Sequence, residues 1–201
     1  MLTLHADSRG RALVVQGEWV TAAGPLEEVR AAHPRARVRA WPGILTPGLV
    51  NLYGNELLEE AYHPDPREAD ELGTEPLTGD ALAMLALDDA RWGASARRGV
   101  QRMLAHGTVA VACGPVRNRA VQDAVRRTGL GVVGRTGRPQ GRASLDPYAC
   151  GAPVEFAPER DAGSAARFAV FDVRDETELA ERGAATCVAT VLAGRLLYRR
   201  R

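Results

Sequence analysis

Residues 95–111, SARRGVQRMLAHGTVAV, join a helix directly to a strand and decide the fold class. The first part is typical of a helix, Gly107 ends it, and TVAVAC from Thr108 to Cys113 is a β-branched apolar strand. The next segments are NRAVQDAVRRTG, an amphipathic helix that ends at Gly129, and LGVVG, a further strand. This alternation of strands and helices predicts parallel pairing with right-handed crossovers. The middle of the chain is therefore expected to be an α/β unit.

The segments before this unit predict a buried strand, a loop and two helices. ILTPGLV at residues 44–50 is apolar enough to be a strand buried on both faces, with an irregular end at Pro47 and Gly48. Residues 51–78 are rich in Pro, Glu and Asp and lack a period, which predicts mostly surface loop. Residues 79–106 predict two helices, the first capped by Asp80 and the second starting near Gly93 or Ser95.

Both ends of the chain are rich in strand signals. The N-terminal part predicts a hairpin around Gln16-Gly17, a helix at residues 26–33 and a strand at residues 35–41. The C-terminal part predicts strands in ARFAVFDV, residues 166–173, and on both sides of a turn at Ala193-Gly194. An irregular join, residues 135–165, separates this part from the α/β middle. We expect the two ends to pack together as one composite domain.

Composition excludes several classes of function. The 201 residues carry a net charge of +1, so charge alone indicates neither nucleic acid nor an anionic membrane as a partner. All 26 basic residues are arginines, which excludes a Schiff-base lysine, a metal-bridging carbamylated lysine and a phosphate-loop lysine. The three cysteines are far apart and predict buried thiols. The absence of a signal-like or membrane-spanning stretch predicts a cytoplasmic protein.

Four stretches, taken in order, resemble the amidohydrolase superfamily. They are GPLEEVRAAHPRARVRAWPG with the preceding hairpin, ILTPGLVN, SARRGVQRMLAHGTVAV, and RFAVFDV with ATVLAGRLLYRRR. The branch they resemble contains imidazolonepropionase and aminodeoxyfutalosine deaminase. The resemblance implies a β-sandwich built from both termini and the start of a (β/α) barrel.

The chain departs from this family at the metal site. In the family, PGLVN is followed by a His-x-His pair that binds the catalytic zinc or iron, because both imidazoles point into the barrel mouth. The matching positions here hold Tyr53 and Asn55, with Gly54 between them. Neither side chain is a usual replacement for a metal-binding imidazole. We therefore expect no metal, no cofactor and no catalytic residues.

Length points to a shortened barrel. A complete (β/α)₈ barrel needs about 250 residues, whereas roughly 100 lie between the two β-rich ends, enough for three strands of that design. The predicted fold class is α/β, with a composite β-sandwich plus a truncated barrel remnant. The predicted domains are residues 1–50 with 155–201 for the sandwich and 51–154 for the remnant.

Several polar side chains near the lost metal site are candidates for a binding pocket. Asn51, Glu56 and His63, together with the two replaced positions, are expected to be able to bind a small polar ligand. An alternative is that these side chains only fill the space of the metal. His63 and the acidic loop around Asp65 form a second possible metal site, although a solvated loop is the preferred interpretation. Cys113 is interpreted as a core residue rather than a nucleophile.

The sequence leaves two functions open. The leading hypothesis is a catalytically inactive, amidohydrolase-like protein that serves as a binding or interaction module. Because a truncated barrel exposes strand edges and an inner face, we expect a homodimer or a protein partner to cover them. The alternative is a metal-dependent hydrolase of carbon–nitrogen, non-peptide bonds in a cyclic amide or amidine. In a variant of that alternative, another subunit supplies the missing groups.

Overall fold

The structure is a computed structural model that describes residues 1–158 and 161–200. Its strands are β1 Leu2–Ala6, β2 Arg11–Gln16, β3 Trp19–Pro25, β4 Arg37–Ala40, β5 Ile44–Pro47, β6 Leu49–Asn51, β7 Thr108–Cys113, β8 Gly131–Gly134, β9 Glu155–Phe156, β10 Phe168–Phe171, β11 Cys187–Leu192 and β12 Arg195–Arg199. Its helices are α1 Leu26–Ala32, α2 Gly54–Leu58, α3 Ala69–Leu72, α4 Gly79–Ala83, α5 Asp89–Leu104, α6 Arg119–Thr128 and α7 Glu176–Arg182. The predicted domain at residues 155–201 includes Glu159, Arg160 and Arg201, which lie outside the described residues.

The first two sheets form a sandwich that uses both ends of the chain. One sheet has the strand order β3-β2-β1-β4, and the other has the order β12-β11-β10-β5. The second sheet therefore combines one strand from the N-terminal part with three from the C-terminal part. Alternate apolar residues of both sheets meet in a shared core, including Leu13, Val15, Phe168 and Val191. The predicted composite β-sandwich is confirmed.

The third sheet is the remnant of the predicted barrel. Its order is β8-β7-β6-β9, in which β6, β7 and β8 are parallel and β9 is antiparallel. Helices α5 and α6 follow β6 and β7 and pack against each other and the sheet. Within the described part of the chain, this sheet does not close into a barrel. The predicted α/β class with a truncated remnant is confirmed.

The sandwich and the third sheet share a continuous core. Strands β5 and β6 follow one another with only Gly48 between them, so Leu49 of the third sheet packs with Ile44 and Phe171 of the sandwich. The hydroxyl of Thr190 in β11 donates a 2.6 Å hydrogen bond to the carbonyl oxygen of Leu104 in α5. These contacts join the two parts. The predicted domain boundaries stay a prediction, with β6 paired in the third sheet.

The predicted surface loop at residues 51–78 is wrong in its first half. Residues 51–63 are mostly buried, and α2 lies inside this stretch. Its apolar side chains are too few for a visible period, but Leu57 and Leu58 still pack against the core face of α5 and against β7. Tertiary packing rather than local pattern therefore orders this segment.

The two helices predicted at residues 79–106 are confirmed, although their first residues differ from the prediction. Helix α5 begins after Asp88, whose carboxylate accepts a 2.8 Å hydrogen bond from the Arg91 amide. Ser95 lies in the buried helix interior, and α4 follows Thr78 rather than Asp80. None of the described helices is long and apolar enough to cross a membrane.

Candidate functional site

The candidate site lies where the three parallel strands of the third sheet end. Strand β6 leads into Tyr53 and Asn55, β7 leads into Gly114, and β8 leads into Arg135. The carboxyl ends of parallel strands meet at one edge of a sheet, the edge that carries the active site in (β/α) barrels. The loops after these strands therefore bring their side chains together.

Tyr53 and Asn51 hold the loop that crosses this edge. The buried Tyr53 hydroxyl donates a 2.5 Å hydrogen bond to the carbonyl oxygen of Gln140. The Asn51 amide donates to the carbonyl oxygen of Ser144 at 2.9 Å and accepts from the Tyr53 backbone at 3.0 Å. Burial, reinforced by the nearby Cys150, raises the pKa of the Tyr53 hydroxyl. Tyr53 is thus a protonated hydrogen-bond donor rather than a phenolate.

The hydrogen-bonding groups of the Asn55 side chain are also occupied by its neighbours. Its side-chain oxygen accepts hydrogen bonds from the Gly114 amide at 2.9 Å and from Arg135 Nη2 at 3.2 Å. Its side-chain nitrogen donates to Glu59 Oε2 at 3.2 Å. An amide has two acceptor lone pairs and two donor hydrogens, so these bonds leave little capacity for a ligand.

Glu56 and Arg135 form an enclosed ion pair beside Asn55. Arg135 Nη2 lies 2.7 Å and 2.6 Å from the two carboxylate oxygens of Glu56, and the side chains are only 13% and 12% exposed. Arg135 Nη1 also donates to the carbonyl oxygen of Gly137 at 2.8 Å. A fixed positive charge therefore contacts both oxygen-bearing side chains at this strand edge.

The side chains present do not fit the metal that the family resemblance implies. A divalent cation needs free oxygen, nitrogen or sulfur ligands, whereas Tyr53 donates its hydroxyl proton and Asn55 and Glu56 bind a guanidinium. The guanidinium would also repel a second cation. Among the described residues, no group of three or more His, Cys, Asp or Glu side chains is placed to hold a metal ion.

The sequence prediction missed Arg135. The residue was assigned to the irregular join, but it immediately follows the predicted strand LGVVG. Because parallel strands end at one edge, the residue after β8 had to lie near the residues after β6 and β7. That topological signal was available without any motif.

Of the neighbouring acidic residues Glu56, Glu59 and Glu60, only Glu60 lies on a solvated helix edge. Glu60 is exposed and pairs with Arg138 at 2.6 Å. Glu59 is partly buried, and its carboxylate accepts hydrogen bonds from the amides of Arg117 and Asn118 at 2.6 Å and 2.7 Å. Glu59 therefore fixes the loop that leads into α6.

His63 lies against α5, and none of its observed contacts involves Asn51 or Glu56. The ring is buried, and Nε2 lies 2.7 Å from the carbonyl oxygen of Leu57, which can only accept a hydrogen bond. Its backbone amide donates to Ser95 at 2.8 Å. Burial lowers the pKa of His63, so the ring is neutral near pH 7. The predicted solvated position of His63 is wrong, since α5 covers it.

Cys113 occupies the core position expected for it. The thiol is buried at the end of β7, and burial raises its pKa to about 11. A thiol with this pKa is almost entirely protonated at neutral pH and is a poor nucleophile. Cys150 and Cys187 are buried as well.

A polar cleft of about 680 Å³ opens on one side of the ion pair. Glu56 lies at its margin, and Arg102, His106, Arg142 and Asp146 contribute further polar side chains. Cleft volumes in this range are common among small-molecule sites. The strand edge is therefore closed to a metal, while the space beside it is open to solvent.

Comparison with known proteins gives a match to a family model and likenesses to solved structures, including an ochratoxinase and a guanine deaminase. Residues 12–36 match the family model described as the imidazolonepropionase-like composite domain of bacteria. A. niger ochratoxinase is 17% identical with a TM-score of 0.43, covering 66% of this chain and 30% of the ochratoxinase chain. Guanine deaminase from Bradyrhizobium japonicum is 18% identical with a TM-score of 0.37, covering 62% of this chain and 27% of its own.

The chain thus spans less than a third of the length of both solved structures. No curated protein matches it. The matched residues contain β3, α1 and all of β2 except Arg11, the hairpin and helix on which the sequence resemblance began. The predicted relation to the amidohydrolases is supported at this segment, which is similar to the imidazolonepropionase-like composite domain of bacteria.

Proposed function

We propose that this protein is a catalytically inactive relative of the amidohydrolases that works as a binding or interaction module. The observation that carries the proposal is the contact of the Arg135 guanidinium with both Asn55 and Glu56. At the edge where barrel hydrolases use a metal ion to activate water, this chain places an internal cation and satisfied amide groups. Such a site stabilises the fold instead of polarising a substrate.

The metal content of the protein tests the absence of catalysis. We expect well below one zinc, iron or manganese per chain, measured by plasma mass spectrometry on protein purified without a histidine tag or chelator. The matched variant combines Tyr53→His, Asn55→His and Arg135→Ala, which rebuilds the imidazole pair and removes the guanidinium. This variant should retain more zinc than the wild type. Nearly one tightly held metal per wild-type chain would contradict the proposal.

The rival function is a metal-dependent hydrolase of carbon–nitrogen, non-peptide bonds in cyclic amides or amidines. It requires ligands from a partner subunit, because the described residues of this chain provide no suitable group. Hydrolysis of a panel of cyclic amides by the purified protein, abolished by chelator and restored by zinc, would establish it. We expect no hydrolysis above the buffer control.

The interaction role follows from the open third sheet. Among the described residues, strand β8 has a neighbouring strand on one side only, and Val132 and Val133 are 60% and 49% exposed. Exposed strand edges and apolar patches tend to be covered by another molecule. We expect a second copy or another protein to cover them. A cytoplasmic location stays the expectation from sequence.

A small polar ligand in the cleft beside Glu56 is the second candidate. Arg142 is exposed at this cleft and has no ion-pair partner among the described residues, and His106 is partly buried there. A carboxylate-bearing molecule would suit this lining. Thermal shifts of the wild type and of Arg142→Gln against a panel of small carboxylic acids test the idea, which predicts stabilisation of the wild type only.

A further inference from the structure

Strand β8 differs from the other sheet edges because nothing in it discourages pairing. The three sheets present six edge strands in the described part of the chain. The other five carry a charged residue or a proline, namely Pro25 in β3, Arg37 and Arg39 in β4, Pro47 in β5, Glu155 in β9, and Arg195 and Arg199 in β12. Charges and prolines are the usual protection of a free edge. The sequence of β8, GVVG, contains neither.

An apolar groove continues from this edge onto α6. Its volume is about 500 Å³. Its apolar lining includes Val116, Val121, Val125, Leu130 and Val132. Val132 belongs both to the free strand edge and to the groove wall. A strand that pairs with β8 would therefore place its side chains on one face directly into the groove.

Basic residues surround the edge and the groove. Residues 114–142 contain seven arginines and one acidic residue, Asp123. Arg126 lines the groove and is exposed, and Arg119 lies on the same side of α6, seven residues earlier. Arg138 is exposed in the loop after β8 but pairs with Glu60, and Arg126 pairs with Asp123. The exposed Arg119 and Arg127 have no ion-pair partner among the described residues. This surface complements an acidic partner.

The same charges disfavour a second copy of this chain at the edge. In a two-fold β8–β8 pair, each copy would place its own arginine-rich segment opposite that of the other copy. Like charges brought together across an interface cost binding free energy. A separate acidic strand meets no such repulsion.

We propose that β8 and its groove bind an extended acidic segment of another protein, in which apolar and acidic residues alternate, by strand addition. Main-chain hydrogen bonds to β8 would supply affinity, and the groove would select apolar side chains at alternate positions. Arg119 and Arg127 would pair with acidic side chains of the bound segment that point to the rim. This inference rests on the proposed interaction role and names its surface and the chemistry of its partner.

Peptide binding to the full chain tests the proposal. The probe is a fluorescein-labelled ten-residue peptide of alternating glutamate and valine, and a peptide of alternating lysine and valine is its counterpart. Fluorescence polarisation should show at least about tenfold tighter binding of the acidic peptide. The variant Val132→Lys adds positive charge but places a charged side chain in the apolar groove and on the strand edge. It should therefore bind the acidic peptide at least about tenfold more weakly than the wild type.

The matched control is Val38→Lys, because Val38 is 48% exposed on the protected edge strand β4. It should change the affinity less than about twofold. Hydrogen exchange measured by mass spectrometry should slow at residues 130–135 when the acidic peptide binds. Far-UV circular dichroism establishes that both variants are folded.

Five results would overturn the inference. Unchanged or tighter binding by Val132→Lys would mean that charge alone attracts the peptide, and protection away from residues 130–135 would place the site elsewhere. Tighter binding of a ten-nucleotide single-stranded DNA than of the peptide would indicate nucleic acid. Self-association of the wild type that Val132→Lys abolishes would show that a second copy fills the edge. If the protein holds no metal, shows no hydrolysis and also fails to bind the peptide, this inference is wrong while the proposed function stands. If the protein holds a tightly bound metal and hydrolyses a substrate, the proposed function itself is wrong.

Discussion

Arg135 combines a positive charge with nearly complete enclosure. Removing one member of a buried ion pair leaves the other charge without compensation, which costs more than the pair itself contributes. Arg135→Ala should therefore lower the free energy of unfolding by about 2–4 kcal/mol, because it leaves the Glu56 carboxylate enclosed. Urea unfolding followed by circular dichroism measures this difference.

The control for this prediction is Arg138→Ala. Its partner Glu60 is also an acidic residue next to α2, but the side chains of this pair are 73% and 48% exposed. Solvent-exposed pairs contribute at most about 1 kcal/mol. Equal losses in the two variants would show that the Arg135 pair is solvated and would remove its structural role.

His5 makes stability depend on pH. Its ring is buried between Trp41, whose indole nitrogen donates to His5 Nδ1 at 3.1 Å, and Phe168. Burial, with a smaller contribution from Arg39, lowers the pKa of His5 to about 4. The unfolded chain, with a pKa near 6.5, binds the proton more readily, so stability is complete above pH 6.5 and falls as pH decreases towards 4.

The loss for His5 should reach about 3 kcal/mol at pH 4, from the conversion of about 1.4 kcal/mol per pKa unit. Comparing the free energies of unfolding of the wild type and His5→Gln at pH 7 and pH 4 isolates this contribution, since His63 is common to both. The variant should have the smaller pH dependence. Parallel pH profiles of the wild type and the variant would mean that the pKa of His5 is the same in the folded and the unfolded protein.

Among the elements, helix α5 is capped at its N-terminus by Asp88, a residue that the sequence analysis did not identify as a cap. The Asp88 side chain accepts a hydrogen bond from the Arg91 amide, whereas Asp80 lies one residue inside α4. Asp88→Ala should lower the free energy of unfolding by about 1 kcal/mol. Asp80→Ala, the same chemical change at the predicted cap, should cost less than about 0.5 kcal/mol. A larger loss in Asp80→Ala would restore the sequence-based assignment.

Regular elements were predictable because their signals are local. The hairpin of β2 and β3, the strand β7 and the helix α6 were recognised from alternation, β-branching and a terminal Gly129. The buried segment around α2 was not, because it is only five residues long and its burial depends on α5 and β7. Packing of this kind cannot be predicted from the periodicity of apolar residues along the sequence.

The candidate site was predictable only in part for a similar reason. Tyr53 and Asn55 were identified by their position after PGLVN, whereas the partner that closes the site, Arg135, lies about 80 residues later. A motif specifies neighbours along the chain, not across a sheet. The position of His63 against α5 depends likewise on Ser95, which lies 32 residues later in the sequence.

At the scale of the whole molecule, the shared core of the sandwich and the third sheet predicts a single cooperative unit. Phe168 is fully buried between the two sandwich sheets and lies far from α6 in the sequence. Phe168→Ala should lower the free energy of unfolding by about 3–5 kcal/mol, through lost apolar contacts and the cavity that remains. Because Leu49 and Thr190 connect the sandwich to the third sheet and α5, the loss should spread to the α/β part.

Hydrogen exchange under native conditions measures this spread, by comparing peptides from β2 with peptides from α6. Both should lose a similar amount of protection in Phe168→Ala, since they would be exposed in the same unfolding event. Phe156→Ala, at a side chain that is 43% exposed, should change both by less than about 1 kcal/mol. Protection lost from β2 but kept in α6 would instead mean that the α/β part stays folded after the sandwich opens, so that the contacts of Leu49 and Thr190 do not couple them.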